Sequence, residues 1–455
     1  MTSFSTSTFF QNTLQELQVW LERERLRRQV PGWAVSLCTP EHEIWLAGSG
    51  EARAGQAVSP ETPFQIGSIT KVFTACAILR LRDEGHFHLD QAIADVLPEF
   101  QPSIPFVATR PPTFRQVLSH TAGLPYHFDT SGWTAENLPS PDELLEQLSS
   151  LSLIYPPLTR FKYSNVGSFV LGEVVRRIRG KSIAEVIEEE LLKPLGMSQS
   201  GFFLSGHSEL GSQLAVGHVL DEEGKAHPLP HYEAPTFAAA SELYTSVQDL
   251  TRFLQWQCHE GPVDDQHPLC VSTLREMHAP VFLSESGHEG TALGWRMGRV
   301  AGHQEIHHGG GMPGLLSFVR VLPRLGLGVA LLANTNTDPE TLTRELLERF
   351  VPVWEERLDQ EEWLGAGLEE KDWEELLGEY EVPGFRKYVF EQRGFRLLAT
   401  VPGSPESEWF RLRPLGGDRY RMEGGPSDGE ETRFLRDEAG LILSLQSSSH
   451  HFWKK

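Results

Sequence analysis

Residues 64–71 read Phe64-Gln-Ile-Gly-Ser68-Ile-Thr-Lys71, with a serine and a lysine three positions apart. Apolar residues recur at helical spacing up to about Leu81, so a helix is predicted to begin near the serine. Residues three apart on a helix share a face, which brings the hydroxyl and the amine together. A serine needs a base to act as a nucleophile, and a buried amine loses its proton readily enough to be one. Taken alone, the pair favours an ordinary helix surface, because such a pair occurs by chance in most proteins of this length.

A second motif, Tyr163-Ser-Asn165, is followed by Gly167 and another helical pattern. It places a phenol and an amide on the same side of one short loop. The phenol can relay a proton between a nucleophile and a leaving group, and the amide can hold a substrate carbonyl. Taken alone, this motif is also consistent with a turn stabilised by its asparagine.

A third motif, His308-Gly-Gly-Gly311, leads into a β-prone run, Leu316–Leu322. Glycines let the backbone approach a ligand closely, and a strand edge there can lend an N–H to an oxyanion hole. Taken alone, the motif is also consistent with a glycine-rich turn that carries a surface histidine. The cluster of His303, His307 and His308 allows a metal site, but it matches neither the HExxH pattern nor zinc-finger spacing. We therefore predict no metal and no cofactor.

In this order, the three motifs resemble those of the serine β-lactamases and penicillin-binding proteins. The likeness is to the class C branch with its esterases, D-aminopeptidases and DD-peptidases, and it spans most of residues 30–335. Further segments that resemble the family are Asp83–Asp90, Leu118–Pro125, Pro194–Met197 and Gly294–Trp295.

The resemblance implies a catalytic role for three residues. Ser68 is expected to be the acylated nucleophile. Lys71 and Tyr163 are expected to share the work of general base and proton shuttle, and which of them takes the first proton is left open. The backbone N–H groups of Ser68 and Gly311 are expected to form the oxyanion hole.

The resemblance also implies substrate-binding roles for Asn165, His308, Gly310 and Gly311. Asn165 is expected to bind the substrate amide, and His308 to orient the substrate or tune the tyrosine. Most β-lactamases have Lys-Thr-Gly where this chain has His308-Gly-Gly310, so strong β-lactamase activity is not expected. A second departure is Glu242, which replaces a glycine of the family pattern and could line the site or face away from it.

Strand signals stand at both ends of the first 350 residues, with helical patterns between them. Trp33–Cys38 and Glu43–Leu46 predict a hairpin, and Leu316–Leu322 and Leu327–Ala333 predict neighbouring antiparallel strands. This order predicts an α/β (α+β) fold in which both ends of the chain build one antiparallel sheet, flanked by helices and joined to a helical subdomain.

The C-terminal part differs in composition. Residues 355–375 hold ten acidic and two basic residues, which predicts a solvated acidic connector. Beyond it, short alternating runs predict a small antiparallel barrel or sandwich. The tail resembles the lipocalin-like β-barrel appendages of some peptidase members, which implies a barrel. The predicted domains are a hydrolase domain (1–352), a connector (353–375) and a barrel (376–455). The barrel is expected either to wall the active site or to serve stability or dimerisation.

The formal net charge of −22 over 455 residues argues against nucleic acid and anionic membranes as partners. No run approaches the roughly 20 apolar residues of a membrane span. The N-terminus lacks the pattern of a secretory signal, and the four cysteines (Cys38, Cys76, Cys258, Cys270) are scattered. These features predict a cytoplasmic location.

The sequence therefore predicts a metal-free serine hydrolase that cleaves a small ester or a D-amino-acid-containing peptide through an acyl-enzyme on Ser68. Two alternatives stay open: a catalytically idle binding or assembly protein with this fold, and a weak β-lactamase. The expected partner is a small ester or short peptide substrate, and a homo-oligomer is allowed.

Overall fold

A computed structural model of the chain describes residues 8–131, 133, 137–202, 213–259, 267–365, 372–382, 386–404, 409–424, 428–447 and 451–455. The chain divides into two compact units, Met1–Glu348 and Arg349–Lys455. Each unit has its own hydrophobic core.

The first unit is built on a nine-stranded antiparallel sheet with the order β3-β2-β1-β14-β13-β12-β11-β10-β9. β1 lies between β2 and β14, with Val35 opposite Leu331. This confirms that the two ends of the sequence build one sheet, and the predicted antiparallel pairing of β13 with β14 is also confirmed. The strands are β1 (Gly32–Cys38), β2 (Glu43–Arg53), β3 (Gln56–Ala57), β4 (Pro63–Gln65), β5 (Gly201–Phe202), β6 (His218–Leu220), β7 (Ala226–Pro228), β8 (Leu243–Ser246), β9 (Phe282–Leu283), β10 (Gly290–Thr291), β11 (Arg296–Val300), β12 (His303–Met312), β13 (Leu315–Leu322) and β14 (Leu327–Ala333).

Helices flank this sheet, as predicted. Helix α2 is apolar on nearly all sides and lies inside the core, where Phe73 stacks on Phe253 of α8 with ring centroids 4.1 Å apart. None of the helices in the described ranges has the length and apolar character needed to cross a membrane. The helices are α1 (Thr8–Arg27), α2 (Thr70–Asp83), α3 (Phe114–Leu118), α4 (Pro141–Gln147), α5 (Asn165–Arg179), α6 (Ile183–Ile187), α7 (Ala238–Ser241), α8 (Val247–Gln257), α9 (Val271–His278), α10 (Pro339–Gly365) and α11 (Asp372–Leu376).

The second unit contains a closed eight-stranded antiparallel barrel, which confirms the predicted barrel. Its first and last strands pair, with Tyr380 opposite Lys454, so the sheet has no free edge. Alternate residues point inwards and fill the interior with aromatic rings; Tyr380 stacks on Phe390, for example, at 4.2 Å. The strands are β15 (Gly378–Val382), β16 (Arg386–Arg393), β17 (Arg396–Thr400), β18 (Phe410–Gly416), β19 (Arg419–Glu423), β20 (Glu431–Arg436), β21 (Ile442–Ser447) and β22 (His451–Lys454).

The acidic segment differs from the solvated connector expected between residues 353 and 375. Helix α10 runs through its first part to Gly365, and α11 occupies its end. Asp359 of α10 is buried and forms ion pairs with Arg396 and Arg411 of the barrel. Acidic residues at helical spacing on α10 thus meet arginines on β17 and β18, so this part of the segment packs on the barrel.

Candidate active site

Ser68 lies in a short 3-10 turn, Gly67–Ile69, between β4 and α2. β4 pairs with β8, which anchors the chain just before the turn. Gly67 has φ +52, and a side chain there would come within 2.5 Å of the Gly311 nitrogen. Glycine alone combines that backbone conformation with so close an approach, so the turn rests directly against β12.

Lys71 lies in the first turn of α2 and is buried. Its Nζ donates to Ser68 Oγ over 3.1 Å and to the carbonyl oxygen of Ala240 over 2.8 Å. Because burial disfavours the charged amine, the pKa of Lys71 is lowered to about 7. The structure thus brings the predicted serine and lysine together, with the amine close to half protonated at neutral pH.

Tyr163 directly precedes the N-cap of α5. The cap is Ser164, whose Oγ accepts a hydrogen bond from the Gly167 N–H over 3.0 Å. The Tyr163 ring lies 5.1 Å from Lys71 Nζ, measured to the ring centroid. Burial raises the pKa of Tyr163, although a hydrogen bond with Ser68 acts in the opposite direction. The phenol is therefore protonated at neutral pH and can pass a proton on.

Asn165 is the first residue of α5, next to the catalytic tyrosine candidate. Its Nδ2 lies 2.9 Å from His127 Nε2, and its backbone N–H donates to the Tyr126 carbonyl oxygen over 2.8 Å. The amide is thus oriented by a histidine that the sequence analysis did not assign.

His308 lies on β12 and is buried. Its Nδ1 lies 2.7 Å from the Gly309 carbonyl oxygen, to which it donates. Burial, and next the nearby charge of Lys71, lower the pKa of His308 to about 3. The imidazole is therefore neutral, and its Nε2 is left as an acceptor.

The glycine run of β12 lies against the Gly67–Ile69 turn. A side chain at Gly310 would come within 1.8 Å of the Ile66 carbonyl oxygen. On the other edge, the pairing of β11 with β12 ends at Arg296 opposite His307. The part of β12 from His308 onwards therefore extends past β11, where an extended ligand can pair with it.

Five of the seven predicted site residues line a cavity of about 610 Å³. Lys71 and Asn165 are not among the described residues that line it: Lys71 is buried behind Ser68, and Asn165 contacts His127. The residues that line the cavity near the serine are Ser68, Tyr126, Tyr163, Arg296, His308, Gly310 and Gly311.

The sequence analysis did not assign three residues that the structure places in or beside this site: His120, His127 and Arg296. His120 stacks on the Tyr163 ring with centroids 4.5 Å apart. Each of the three lies within or next to a segment already marked, since His120 is inside Leu118–Pro125 and Arg296 follows Gly294–Trp295. A closer reading of the polar residues in those segments would have found them.

The histidine side chains of β12 do not point towards one common position. His307 and His308 are consecutive on a strand, so their side chains point to opposite faces, and His307 stacks on Phe318 at 5.4 Å. Across the described ranges, no group of three His, Cys, Asp or Glu side chains is arranged to hold a metal ion.

Glu242 is buried and has a structural role beside the site. Its carboxylate accepts hydrogen bonds from the Ala234 N–H over 2.9 Å and from the Ser241 hydroxyl over 3.0 Å. These contacts stabilise the chain next to Ala240, whose carbonyl oxygen holds the Lys71 amine.

The sequence profile of the family described as Beta-lactamase matches residues 10–351. This chain belongs to the beta-lactamase family. The match supports serine hydrolase chemistry in general.

Among its relatives in the beta-lactamase family is Penicillin-binding protein 4 of Amycolatopsis lactamdurans, 28% identical over 349 residues, which cover 73% of this chain and 90% of that protein. Beta-lactamase-like protein 2 of Dictyostelium discoideum is 25% identical over 363 residues, 76% of this chain. The match spans 64% of the Dictyostelium protein, so the chain covers slightly less than two thirds of that relative's length.

The fold is also found in a solved structure, the octameric penicillin-binding protein homologue from Pyrococcus abyssi. It superposes with a TM-score of 0.64 at 22% identity, and the match covers 97% of this chain and 100% of that one. The similarity therefore extends over both units of the chain.

Proposed function

We propose that this protein is a serine hydrolase that cleaves an ester or amide through an acyl-enzyme on Ser68. The observation that carries the proposal is the 3.1 Å contact between Ser68 Oγ and the Lys71 amine, whose pKa is about 7. A buried amine that is partly neutral can take the hydroxyl proton as the nucleophile attacks.

The proton then moves in a defined order. Ser68 Oγ forms a bond to the substrate carbonyl carbon while its proton passes to Lys71 Nζ. The Tyr163 phenol gives its proton to the leaving oxygen or nitrogen and recovers one from Lys71, and the bond to the leaving group breaks. Water attacks the acyl-enzyme by the reverse path, and the acid is released with Ser68 restored.

Lys71 suits the first step better than Tyr163. Burial raises the pKa of the phenol and lowers that of the amine, so at neutral pH a neutral amine is common and a phenolate is rare. The charge that develops on the carbonyl oxygen would be stabilised by the backbone N–H groups of Ser68 and Gly311. Removing one such donor in a comparable hydrolase costs about 2.7–4 kcal/mol.

Arg296 favours a substrate that carries a carboxylate, such as a peptide ending in a D-amino acid. Its guanidinium lines the same cavity as Ser68 and lies over the Phe161 ring at 4.6 Å. Its Nε is buried without a hydrogen-bond partner, and among the described residues no carboxylate pairs with it. A cation held in this way in a binding cavity is suited to a free carboxylate.

Two other readings are less well supported. A β-lactamase, which the sequence allows only as a weak one, is not proposed as the main activity, because His308, a neutral side chain, stands where most β-lactamases have a lysine. A catalytically idle binding protein would not need a buried lysine against a serine. A homo-oligomer is also proposed only by analogy, since the octamer is a property of the Pyrococcus protein.

The test is covalent labelling of Ser68. We expect a fluorophosphonate to add one adduct to the wild type and none to Ser68→Ala, by intact mass. Turnover of p-nitrophenyl acetate and D-alanine p-nitroanilide should be lost in the same variant. A wild type that neither labels nor turns over either substrate would support the idle reading.

A second experiment tests whether Arg296 binds a carboxylate of the substrate. Peptides ending in D-alanine are compared as the free acid and as the amide, in the wild type and in Arg296→Gln. We expect the variant to raise KM about tenfold or more for the acid and to leave the amide unchanged, since a charge-assisted hydrogen bond contributes about 1.5–3 kcal/mol. Equal effects on both peptides would remove the carboxylate assignment while leaving the serine hydrolase proposal intact.

A further inference from the structure

His120 lies directly under the ring of Tyr163. The two rings stack with their centroids 4.5 Å apart and their planes at 29°, and Phe161 meets the His120 ring edge-on at 6.0 Å. The face of the Tyr163 ring that His120 covers is thus supported by aromatic contacts. Such support limits the rotation of a side chain that must deliver a proton at one position.

The same residue also holds the backbone on both sides of Tyr163. Its Nδ1 accepts the Ser164 N–H over 3.2 Å, and its carbonyl oxygen accepts the Lys162 N–H over 2.8 Å. Because Nδ1 is an acceptor, the imidazole is neutral and its proton is on Nε2. Ring and backbone of His120 together contact Lys162, Tyr163 and Ser164.

His120 adopts a backbone conformation that side chains seldom take, with φ +56. Non-glycine residues in this region carry a steric cost, and such residues cluster at functional sites. Here the conformation turns the imidazole under the tyrosine while its carbonyl oxygen still reaches Lys162. Asparagine and histidine are among the side chains that accept this region best.

The surroundings keep this imidazole uncharged. Burial, and then the charges of Lys71 and Arg296, lower the pKa of His120 well below its ordinary value. A charged imidazole could not accept the Ser164 N–H. The contact therefore persists over the range in which Lys71 titrates.

We propose that His120 is a positioning residue that holds the Tyr163 phenol at Ser68 for proton delivery to the leaving group. The proposal rests on the proposed function, because it needs Tyr163 to act as the proton relay. It assigns His120 no contact with the substrate. Its consequence is a selective one: losing His120 should matter most where the leaving group cannot depart without a proton.

Two variants separate the two contacts of the side chain. His120→Asn keeps a short acceptor and tolerates the backbone conformation, but it lacks the ring. His120→Phe keeps a ring to stack and removes the acceptor. His278→Asn is the matched control, since His278 is also a partly buried histidine with a lowered pKa and contacts Gln257 on α8.

The readout compares two acetate esters, p-nitrophenyl acetate and ethyl acetate, with Tyr163→Phe as the reference. Nitrophenolate leaves readily, whereas ethoxide needs a proton. We expect both His120 variants to lower kcat/KM, which reports acylation, about tenfold or more on the ethyl ester and much less on the nitrophenyl ester. Tyr163→Phe should show the same selectivity to a larger degree, and His278→Asn should show none.

Labelling of Ser68 by a fluorophosphonate shows in each variant that the pocket is folded. Equal losses on both esters in labelled variants, or no loss on either, would overturn the positioning role. If one variant does not label, the other carries the same comparison. A wild type that does not label would instead refute the proposed function, which is a separate result.

Discussion

Lys71 owes its chemistry to where its side chain is buried. An exposed lysine is protonated at neutral pH and has no lone pair to accept a proton. In this chain the amine is enclosed, with Ser68 Oγ and the Ala240 carbonyl oxygen as its partners, and its pKa falls to about 7. The histidines around it, His120 and His308, have lowered pKa values and stay neutral in that range.

The first prediction concerns pH. As pH rises through about 7, the neutral fraction of Lys71 grows, so kcat/KM for p-nitrophenyl acetate should rise with an apparent pKa near 7 and then level off. Lys71→Arg should be nearly inactive and show no such rise, because arginine stays protonated throughout. A pH–rate profile of both proteins checks this. A rise of similar shape in the arginine variant would assign the titration to another group.

At the scale of elements, the position of strand β12 and that of the Gly67–Ile69 turn depend on each other. Gly310 lets the strand lie against the Ile66 carbonyl oxygen, and Ser317 of β13 donates to the same oxygen over 2.9 Å. The position of Gly311 relative to Ser68, and with it the proposed oxyanion hole, follows from this contact between elements that are distant in sequence.

The second prediction tests that contact. Gly310→Ala would place a methyl group 1.8 Å from the Ile66 carbonyl oxygen, so the turn must shift away from β12. We expect fluorophosphonate labelling of Ser68 to slow by about 100-fold or more, as for loss of an oxyanion donor. Gly309→Ala is the control, since its methyl group would meet the Phe318 ring at 3.2 Å and the Ser317 carbonyl oxygen only at 3.8 Å. Similar rates in both variants would contradict the argument.

A buried ion pair joins β12, β13 and the start of α10. Arg320 Nη1 lies 2.5 and 2.6 Å from the two carboxylate oxygens of Glu305, and Nη2 donates to the Glu340 carbonyl oxygen over 2.8 Å. Both charged side chains are almost wholly enclosed, with 0% and 1% of their surface exposed. Neither charge can be solvated if the other is removed.

The third prediction follows from this enclosure. Arg320→Met alone should lower the free energy of unfolding of the first unit by about 3–5 kcal/mol, because it leaves a buried carboxylate unpaired. The double variant Glu305→Leu with Arg320→Met should recover much of the loss. Urea unfolding of the wild type, both single variants and the double variant measures the coupling. A double variant as unstable as the sum of its parts would argue against it.

At the scale of the whole molecule, the positions of the charges are more informative than the net charge. The net charge of −22 suggests a uniformly acidic surface, and the densest acidic run marks residues 355–375. In the second unit, however, Asp359 and Glu362 of α10 bind arginines of the barrel, among them Arg411. Part of the acidity thus stabilises the packing of a helix on a barrel within that unit.

The fourth prediction concerns this packing. Asp359→Asn removes a buried carboxylate shared by Arg396 and Arg411, and we expect it to lower the stability of the second unit by about 1.5–3 kcal/mol. Glu356→Gln, an exposed position on the same helix, should change it by no more than about 0.5 kcal/mol. Urea unfolding followed by tryptophan fluorescence compares the two, and equal effects would remove the special role of Asp359.

Local sequence patterns predict some strands of the barrel and miss others. The apolar alternation at residues 388–390, 395–398, 409–412 and 441–445 predicts strands that the structure confirms as β16, β17, β18 and β21. The pattern does not predict β19 and β20, because arginine and glutamate occupy their outward positions and leave only Tyr420 and Met422, or Thr432 and Phe434, to face inwards. In so short a strand, two inward residues are too weak a signal until the neighbouring strands supply the core.

The sequence alone shows Ser68, Lys71 three positions further on, and the order of the three motifs, because helical spacing and family likeness are local properties. It does not show the lowered pKa of Lys71, the support of Tyr163 by His120 or the unpaired state of Arg296. Each depends on burial and on contacts between segments tens to hundreds of residues apart. Such contacts exist only in the folded first unit, where strands from near both of its ends pair in one sheet.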